Sequence, residues 1–396
     1  MTRTITTRPQ LNAAAAATFL IFGINGLVFA SWAARIPAVT DILHISSGQM
    51  GTLLLCVAAG SLIALPTAGT VVARIGTANT VRGAGLVAAL AGAGVALALL
   101  AESVPGTGIA LFFFGMGIGL WDVSQNIEGA DVEHQLGRTI MPQFHAAFSG
   151  GAFLGALIGA GLAGMGVGLP AHLLVIAAIV AVLTMVAPRY FLPHTAVGAK
   201  VAGEPRAAKG SSAWRDGRTL LIGVVVLGAT LTEGAGNDWI AKAAVDGLEA
   251  TESTGALLFA AFVLAMTAVR FFGGPAIDAY GRVRVLRASM AAAAAGLGLF
   301  VLADSLWLAT AGAVLWGAGA ALAFPMGMSA AADDPKHAAA RVSVVSTIGY
   351  VAFLAGPPLL GYLGDLVGIR LALLTIMIPI LGALLLAGAA KPLRAG

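Results

Sequence analysis

Charge is what this chain lacks most. Asp, Glu, Lys and Arg make up 10% of its 396 residues, against about 25% in an ordinary soluble domain. That scarcity excludes a soluble enzyme or a nucleic-acid-binding module, whatever the formal charge of +4 suggests. Cysteine is almost missing: Cys56 stands alone, so one chain can build neither a disulfide framework nor a cysteine metal site. Clustered His or Cys ligands, a Walker-type phosphate loop, a nucleophile beside an obvious base and a sizeable soluble module are also lacking. No cofactor, metal or enzymatic activity is therefore expected, and ATP-driven transport would need a separate ATPase subunit.

Long apolar runs take the place of all this. Hydrophobic residues account for 59% of the chain, and about 20 of them in a row cross a hydrocarbon core of about 30 Å. Such windows follow one another at 13–34, 49–72, 83–101, 107–133, 143–166, 170–190, 218–243, 255–275, 286–303, 305–328, 341–362 and 370–390. The expected class is an all-α integral membrane protein with twelve transmembrane helices. The stretch 11–34 is too long for a signal peptide and reads as an uncleaved first span. Arg35, Lys242 and Arg370 fall on one set of loops, Arg270 falls within a span, and all other Lys and Arg residues fall at the opposite loops and ends. By the positive-inside rule both termini are cytoplasmic, in a multi-pass protein of the cell (inner) membrane.

The polar interval "FLPHTAVGAKVAGEPRAAKGSSAWRDGR" has a linker's composition. It divides the chain into a six-helix bundle over 1–190, a cytoplasmic linker over 191–217 and a second bundle over 218–396. The halves resemble each other: "SWAARIPAVTDILHISSGQMG" aligns with "DWIAKAAVDGLEATESTGALL", matching Trp32 to Trp239, Arg35 to Lys242 and Gly48 to Gly255. Likewise "ARIGTANTVR" aligns with "DAYGRVRVLR", matching Gly76 to Gly281 and Arg82 to Arg287. Two pseudo-symmetric six-helix bundles are the expected architecture.

Twelve spans, a central basic linker and these paired loops resemble the major facilitator superfamily, whose loop signature is Gly-x-x-x-Asp-x-x-Gly-Arg-Arg/Lys. The second copy carries Gly274, Asp278, Gly281, Arg282 and Arg284. The first keeps Gly69 and Gly76 but has Ala73 where Asp is usual and Thr77 where Arg is usual. The resemblance implies a gating role for Gly274, Asp278, Gly281 and Arg282, a monomer, and transport of a small-molecule solute across a lipid bilayer.

Within the fourth window, "GIGLWDVSQNIEGADVE" carries Asp122, Glu128, Asp131 and Glu133. A charge at the bilayer centre costs from about 2.5 kcal/mol upward, so it is kept where it faces a cavity or a partner. At about 100° per residue, Asp122, Asn126, Gly129 and Glu133 form one stripe, and Trp121, Gln125 and Glu128 an adjoining one. Asp131 and Glu133 lie near Arg138 and read as a solvated or capped helix end. Asp122 and Asn126 lie deeper, forming either a polar network between helices or a site for solute and proton. Trp121 either packs the helix or offers its ring to a flat solute, and Gln125 and Glu128 adjoin it.

The segment "WDVSQN" resembles the fourth helix of the L-fucose/proton symporters, in which an acid, three residues and an Asn recur. On that match Asp122 carries the proton and Asn126 binds solute. "FHAAFSGGAFLG" resembles the fifth helix of the same fucose permease-like branch, and the combination is similar to bacterial inner-membrane proteins of the YbjJ type. Those symporters carry an Asp before a Pro in the first helix; Ala33 in "SWAARIP" stands about there, which argues against fucose itself.

Other polar groups lie at membrane depth. Asn25 either lines the cavity or bonds a neighbouring helix. His145 either relays protons or binds solute, or makes a structural hydrogen bond. In "LTEGAGNDWIAKA", Glu233 is either the second candidate proton carrier or paired with a basic or amide neighbour, Asn237 is a candidate solute ligand, and the intervening glycines suit a broken, gating helix. Asp238, Trp239 and Lys242 read as a solvated rim, and Arg270 as snorkelling to the cytoplasmic face. The expected function is proton-coupled symport of a sugar-like polar solute by alternating access. The alternative is proton-driven efflux of amphipathic or drug-like compounds. The antiporter signature, a Gly-rich fifth helix with Pro near its end, is missing that Pro in "SGGAFLGALIGAGLAG", which favours uptake.

Overall fold

The computed structural model describes residues 7–193, 213–334 and 337–393. Linker residues 194–212, with Lys200, Arg206 and Lys209, lie outside the described residues, as do Arg3, Lys336 and Arg394. Every regular element described is helical. The first six are α1 (Arg8–Ala33), α2 (Ile36–Leu43), α3 (Ser47–Leu100), α4 (Val104–Leu136), α5 (Met141–Gly164) and α6 (Leu169–Val186). They are followed by α7 (Gly217–Leu248), α8 (Glu252–Phe272), α9 (Gly274–Tyr280), α10 (Arg282–Leu302) and α11 (Leu306–Ala320). The last are α12 (Ala323–Ala331), α13 (Ala338–Val367), α14 (Ile369–Ala372) and α15 (Met377–Leu386).

Among the described residues 11 helices are long and apolar enough to cross a membrane. One of them, α3, has 54 residues, which at about 1.5 Å per residue far exceeds a bilayer's thickness. It breaks at Gly76, where φ is 81° and ψ 163°. Divided there, the helices give the twelve crossings that hydropathy predicts. The loop expected over 73–82 is thus reduced to a single residue. Its counterpart Gly281, between α9 and α10, has φ 81° and ψ 150°, so the two residues aligned by the internal repeat share one backbone conformation. Only glycine adopts it without strain.

Helix starts follow their capping residues. Ser103 accepts from the Gly106 N–H ahead of α4, Thr251 from Thr254 ahead of α8, and Ser305 from Leu308 ahead of α11, each satisfying an orphan donor. Asp216 caps α7 through the Arg218 N–H. The Thr219 hydroxyl, 2.6 Å away, holds the Asp216 carboxyl below the usual carboxylate range, assisted by Arg341. At its far end α4 stops at Gly137, in the left-handed conformation with φ 65°.

The chain forms two compact units. The first comprises the described residues up to Leu43 and from Cys56 to 193. Its core brings Ile21, Ile24, Val28, Phe114 and Trp121 together, beside a second cluster in which Phe22 and Phe144 stack at 5.5 Å. Helices α1 and α5 approach so closely that a Cβ on Gly151 would lie 2.7 Å from the carbonyl carbon of Gly23. Small residues permit this contact, and dispersion and helix–helix packing stabilise it.

The second unit comprises the described residues from 213 onward together with His44–Leu55, a grouping that hydropathy does not reveal. Trp316 of α11 packs against Phe262 of α8 at 5.5 Å and Phe300 of α10 at 6.0 Å. The start of α3 carries a capping box, Ser46 with Gln49. Asp365 of α13 joins it, accepting from the Ser46 hydroxyl at 2.7 Å and the Gly48 N–H at 3.0 Å. Outward faces are apolar, as lipid contact requires: Leu90, Leu97 and Leu100 are exposed, and Trp307 is 86% exposed.

Candidate functional site

The two stripes of α4 have different fates. Trp121, Gln125 and Glu128 are at most 1% exposed, whereas Asp122 and Asn126 on the adjoining stripe are half-buried. Asp122 Oδ1 accepts from the Gln125 side-chain amide at 3.1 Å and from that of Asn126 at 3.3 Å. The Asn126 amide also reaches the Asp122 carbonyl at 2.8 Å. His145 of α5 lies close enough to Asp122 for a direct charge interaction, and its ring meets Phe22 of α1 edge-on at 5.3 Å. Two expected ligands and the expected proton carrier thus form one cluster, with the histidine at its border.

Asn25 of α1 is 1% exposed, and neither its amide nitrogen nor its oxygen has a hydrogen-bond partner. The Gln125 Oε1 atom is likewise buried and unpartnered. Buried polar groups are nearly always satisfied, so these atoms are the kind of donor and acceptor that a solute completes.

Trp121 and Glu128 depart from what was expected. Trp121 has no exposed surface and sits in the core cluster of the first unit, so its ring packs helices and offers no face to a solute. Both Glu128 oxygens are taken by the chain: the Thr77 hydroxyl donates at 2.6 Å and the Leu192 N–H at 2.7 Å. Thr77 stands where the family signature has Arg, so the first loop is tied by a neutral donor to a buried carboxylate. Glu133, expected at a capped end, accepts from the N–H groups of Ile140 and Met141, both at 2.7 Å.

The Glu128 geometry separates a structural role from solute binding by experiment. Glu128→Ala leaves the buried Leu192 N–H without an acceptor and is expected to cost about 1–3 kcal/mol. Glu128→Gln can turn its oxygen to Leu192 and its nitrogen to the Thr77 oxygen, and is expected to melt and transport nearly as wild type. Transport lost in a normally melting Glu128→Gln protein would return Glu128 to the solute ligands.

In the second unit, Glu233 of α7 is ion-paired with Arg270 of α8 at 2.7 Å. Arg270 also donates through Nε to the Ala321 carbonyl at 3.1 Å. Snorkelling is therefore corrected: the guanidinium turns inward to a carboxylate and a carbonyl because both lie within its reach. Asn237 is half-buried on the same helix. The expected rim is corrected as well, since Trp239 is fully buried and Lys242, 6% exposed, pairs with Asp246 at 2.8 Å.

Of the expected gating residues, Gly274 opens α9, Asp278 is exposed on it and Gly281 makes the turn into α10. Arg282 does the tying: its Nη2 donates to both oxygens of Asp333, at 2.9 and 2.8 Å, and its Nη1 donates to Ser329. Arg218 meets the same Asp333 at 2.8 Å. Sequence reading missed Asp333, for which "DDP" after the tenth window was the available signal. Among the described residues no group of His, Cys, Asp and Glu is arranged to hold a metal ion.

Comparison with known proteins agrees with this geometry. The sequence profile of the Major Facilitator Superfamily matches residues 235–395. The uncharacterized transporter y4wD of Sinorhizobium fredii is 33% identical over 91% of this chain and 96% of its own length. An uncharacterized MFS-type transporter of Yersinia pestis is 30% identical over 90% of each chain. The membrane protein MosC of Rhizobium meliloti is 29% identical over 90% of this chain and 85% of its own. In fold, the chain is similar to the crystal structure of the nucleoside transporter NupG (D323A mutant), with a TM-score of 0.79 at 13% identity, covering 95% of this chain and 99% of that one. These relatives, together with the twelve crossings and the repeated glycine kinks, show that this multi-pass membrane protein belongs to the major facilitator superfamily of transporters.

Proposed function

We propose that this chain is a proton-coupled symporter of a small polar solute, with Asp122 as its proton carrier. The observation that carries the reading is the Asp122 carboxylate, half-buried at membrane depth, bonded to the Gln125 and Asn126 amides and bordered by His145. An acid held by neutral amides can exchange a proton without breaking an ion pair, and the same amides can then turn to a solute. Glu233, bound to Arg270, would have to leave a cation to do so, which makes it the second choice. The resemblance of "WDVSQN" to the fucose/proton symporters supports the coupling. The likeness in fold to a nucleoside transporter adds nucleosides to sugars as candidate solutes.

Asn25, Gln125, Asn126 and His145 are the proposed solute contacts in the first unit, and Asn237 in the second. Transport proceeds by alternating access, the site opening to one face of the membrane at a time. The segment 274–282 takes part in gating, with Gly281 as its turn and Arg282 as its tie. The distribution of Lys and Arg supports cytoplasmic termini in an inner membrane, and the fold supports a monomer.

The test is proton uptake by the protein reconstituted in liposomes, over a panel of sugars, nucleosides and cationic dyes. Solute-driven proton uptake is expected in wild type and at background level in Asp122→Asn, with Glu233→Gln retaining it. Uptake that survives Asp122→Asn and vanishes in Glu233→Gln would transfer the proton to Glu233. Proton release driven by the dyes alone would make the protein an efflux antiporter.

A further inference from the structure

The carboxylates at membrane depth differ in who supplies their donors. Asp122 has two side-chain amides, Glu128 a hydroxyl and a backbone N–H, Glu133 two backbone N–H groups, and Glu233 the guanidinium of Arg270. Asp238 of α7 has no hydrogen-bond or ionic partner among the described residues. The cation one turn away on its own helix, Lys242, is turned to Asp246 at 2.8 Å. A half-buried carboxylate without a partner is costly to keep charged, and a cationic group from outside the chain would supply that partner.

Asp238 lines a pocket between α7 and α13, together with Trp239, Phe353, Gly234, Thr230 and Pro357. The pocket has room for a group the size of a water molecule, which is the size of an ammonium head. Two of its polar atoms are unsatisfied: the Thr230 hydroxyl, 2% exposed, and the Trp239 indole N–H, which as a donor only is no partner for an ammonium and can meet an acceptor elsewhere on a solute. Phe353, 43% exposed, brings an aromatic ring to the same pocket, and a ring near a carboxylate is the combination that attracts organic ammonium ions through the ring quadrupole.

The first unit provides the contrast. The repeat that pairs Trp32 with Trp239 pairs Ser31 with Asp238. Trp32 also lines a pocket, but with Val28, Phe114, Leu173, Ile176 and Val180, and without a charged residue. Two matched tryptophans thus line two pockets, and only the second is acidic.

We propose that the Asp238 pocket receives the ammonium head of the transported solute, so that the substrate class is amine-bearing polar solutes and not their neutral analogues. The inference rests on the transport reading above and narrows it. Its test is equilibrium binding to the full-length protein in detergent, which needs no proton gradient, so a failure of coupling leaves the outcome readable. The probes are two matched pairs, glucosamine with glucose and 5′-amino-5′-deoxyadenosine with adenosine.

Wild type is expected to bind the amine of at least one pair at least tenfold more tightly than its neutral partner. Asp238→Asn, melting as wild type, is expected to abolish that preference. Phe353→Leu keeps the carboxylate and removes an aromatic ring; it is expected to weaken amine binding severalfold and neutral binding not at all, and it decides the matter if Asp238→Asn fails to fold. Equal binding within both pairs, no amine binding, or a preference that survives Asp238→Asn would overturn the proposal. Loss of proton uptake with neutral solutes in Asp238→Asn liposomes would overturn it too, making Asp238 a proton carrier.

Discussion

Gly151→Ala is expected to lower the yield of folded, monodisperse protein sharply, while Gly150→Ala, one residue away on the same helix, is expected to fold as well as wild type or better. A Cβ at Gly151 would approach the Gly23 carbonyl carbon to 2.7 Å and its oxygen more closely still, whereas a Cβ at Gly150 meets nothing within 4 Å. The obstacle is backbone, which cannot swing aside as a side chain can, so α1 and α5 must separate. Overpacking ordinarily costs about 1–3 kcal/mol, and the expected loss lies at or above the top of that range. Gly150→Ala should gain up to about 1 kcal/mol from helix propensity. Size-exclusion profiles and melting in detergent compare the pair; equal melting of the two variants would mean that α1 and α5 are not packed at this separation.

Asp333→Ala is the second large effect expected. One carboxylate receives Arg218 and Arg282, both at 2.8 Å, and these side chains are only 20% and 10% exposed. Removing the acid leaves two poorly hydrated guanidinium groups facing each other. Breaking a fully buried pair costs about 3–5 kcal/mol; with the partial exposure here, about 2–3 kcal/mol is expected. Arg218 retains the carbonyls of Ala330 and Lys391, which keeps the loss from being larger. A melting series of Asp333→Ala, Arg282→Ala and the double variant measures the coupling directly. The double variant should be little worse than Asp333→Ala, because Arg282 has lost its main partner already; additive losses would count against a shared node.

The parts of the fold that sequence made legible are those written in local periodicity. The twelve crossings were visible as apolar windows, and the repeat was visible in Gly76 with Gly281 and Trp32 with Trp239. The stripes of α4 were also correctly separated, because angles along one helix depend on that helix alone. Which stripe faces the packed interior was not legible, so Trp121 and Glu128 were expected at a solute site and are found in the core. Partners were hidden for a related reason. Thr77 and Glu128 are 51 residues apart, Glu233 and Arg270 37, and Arg218 and Asp333 115; such pairs exist only after helices pack. The break within α3 was legible, but its length was not: polar residues 73–82 read as a loop, whereas Gly76 alone is non-helical and Asn79 and Thr80 bond carbonyls one turn back.

The two kinks carry a lesson about handedness. At Gly76 and Gly281 the backbone enters a region that is ordinary for the mirror image of a natural residue and strained for the residue itself. Around these points the two copies have drifted: Ala73 faces Asp278 in the alignment, and Thr77 faces Arg282. Charge can be exchanged for a neutral hydrogen bond, as Thr77 and Glu128 show, because many chemistries hold two helices together. No natural side chain can be exchanged for the missing one, because the constraint is chirality and not affinity. In a chain built twice from one pattern, the achiral residue is the letter that both copies had to keep.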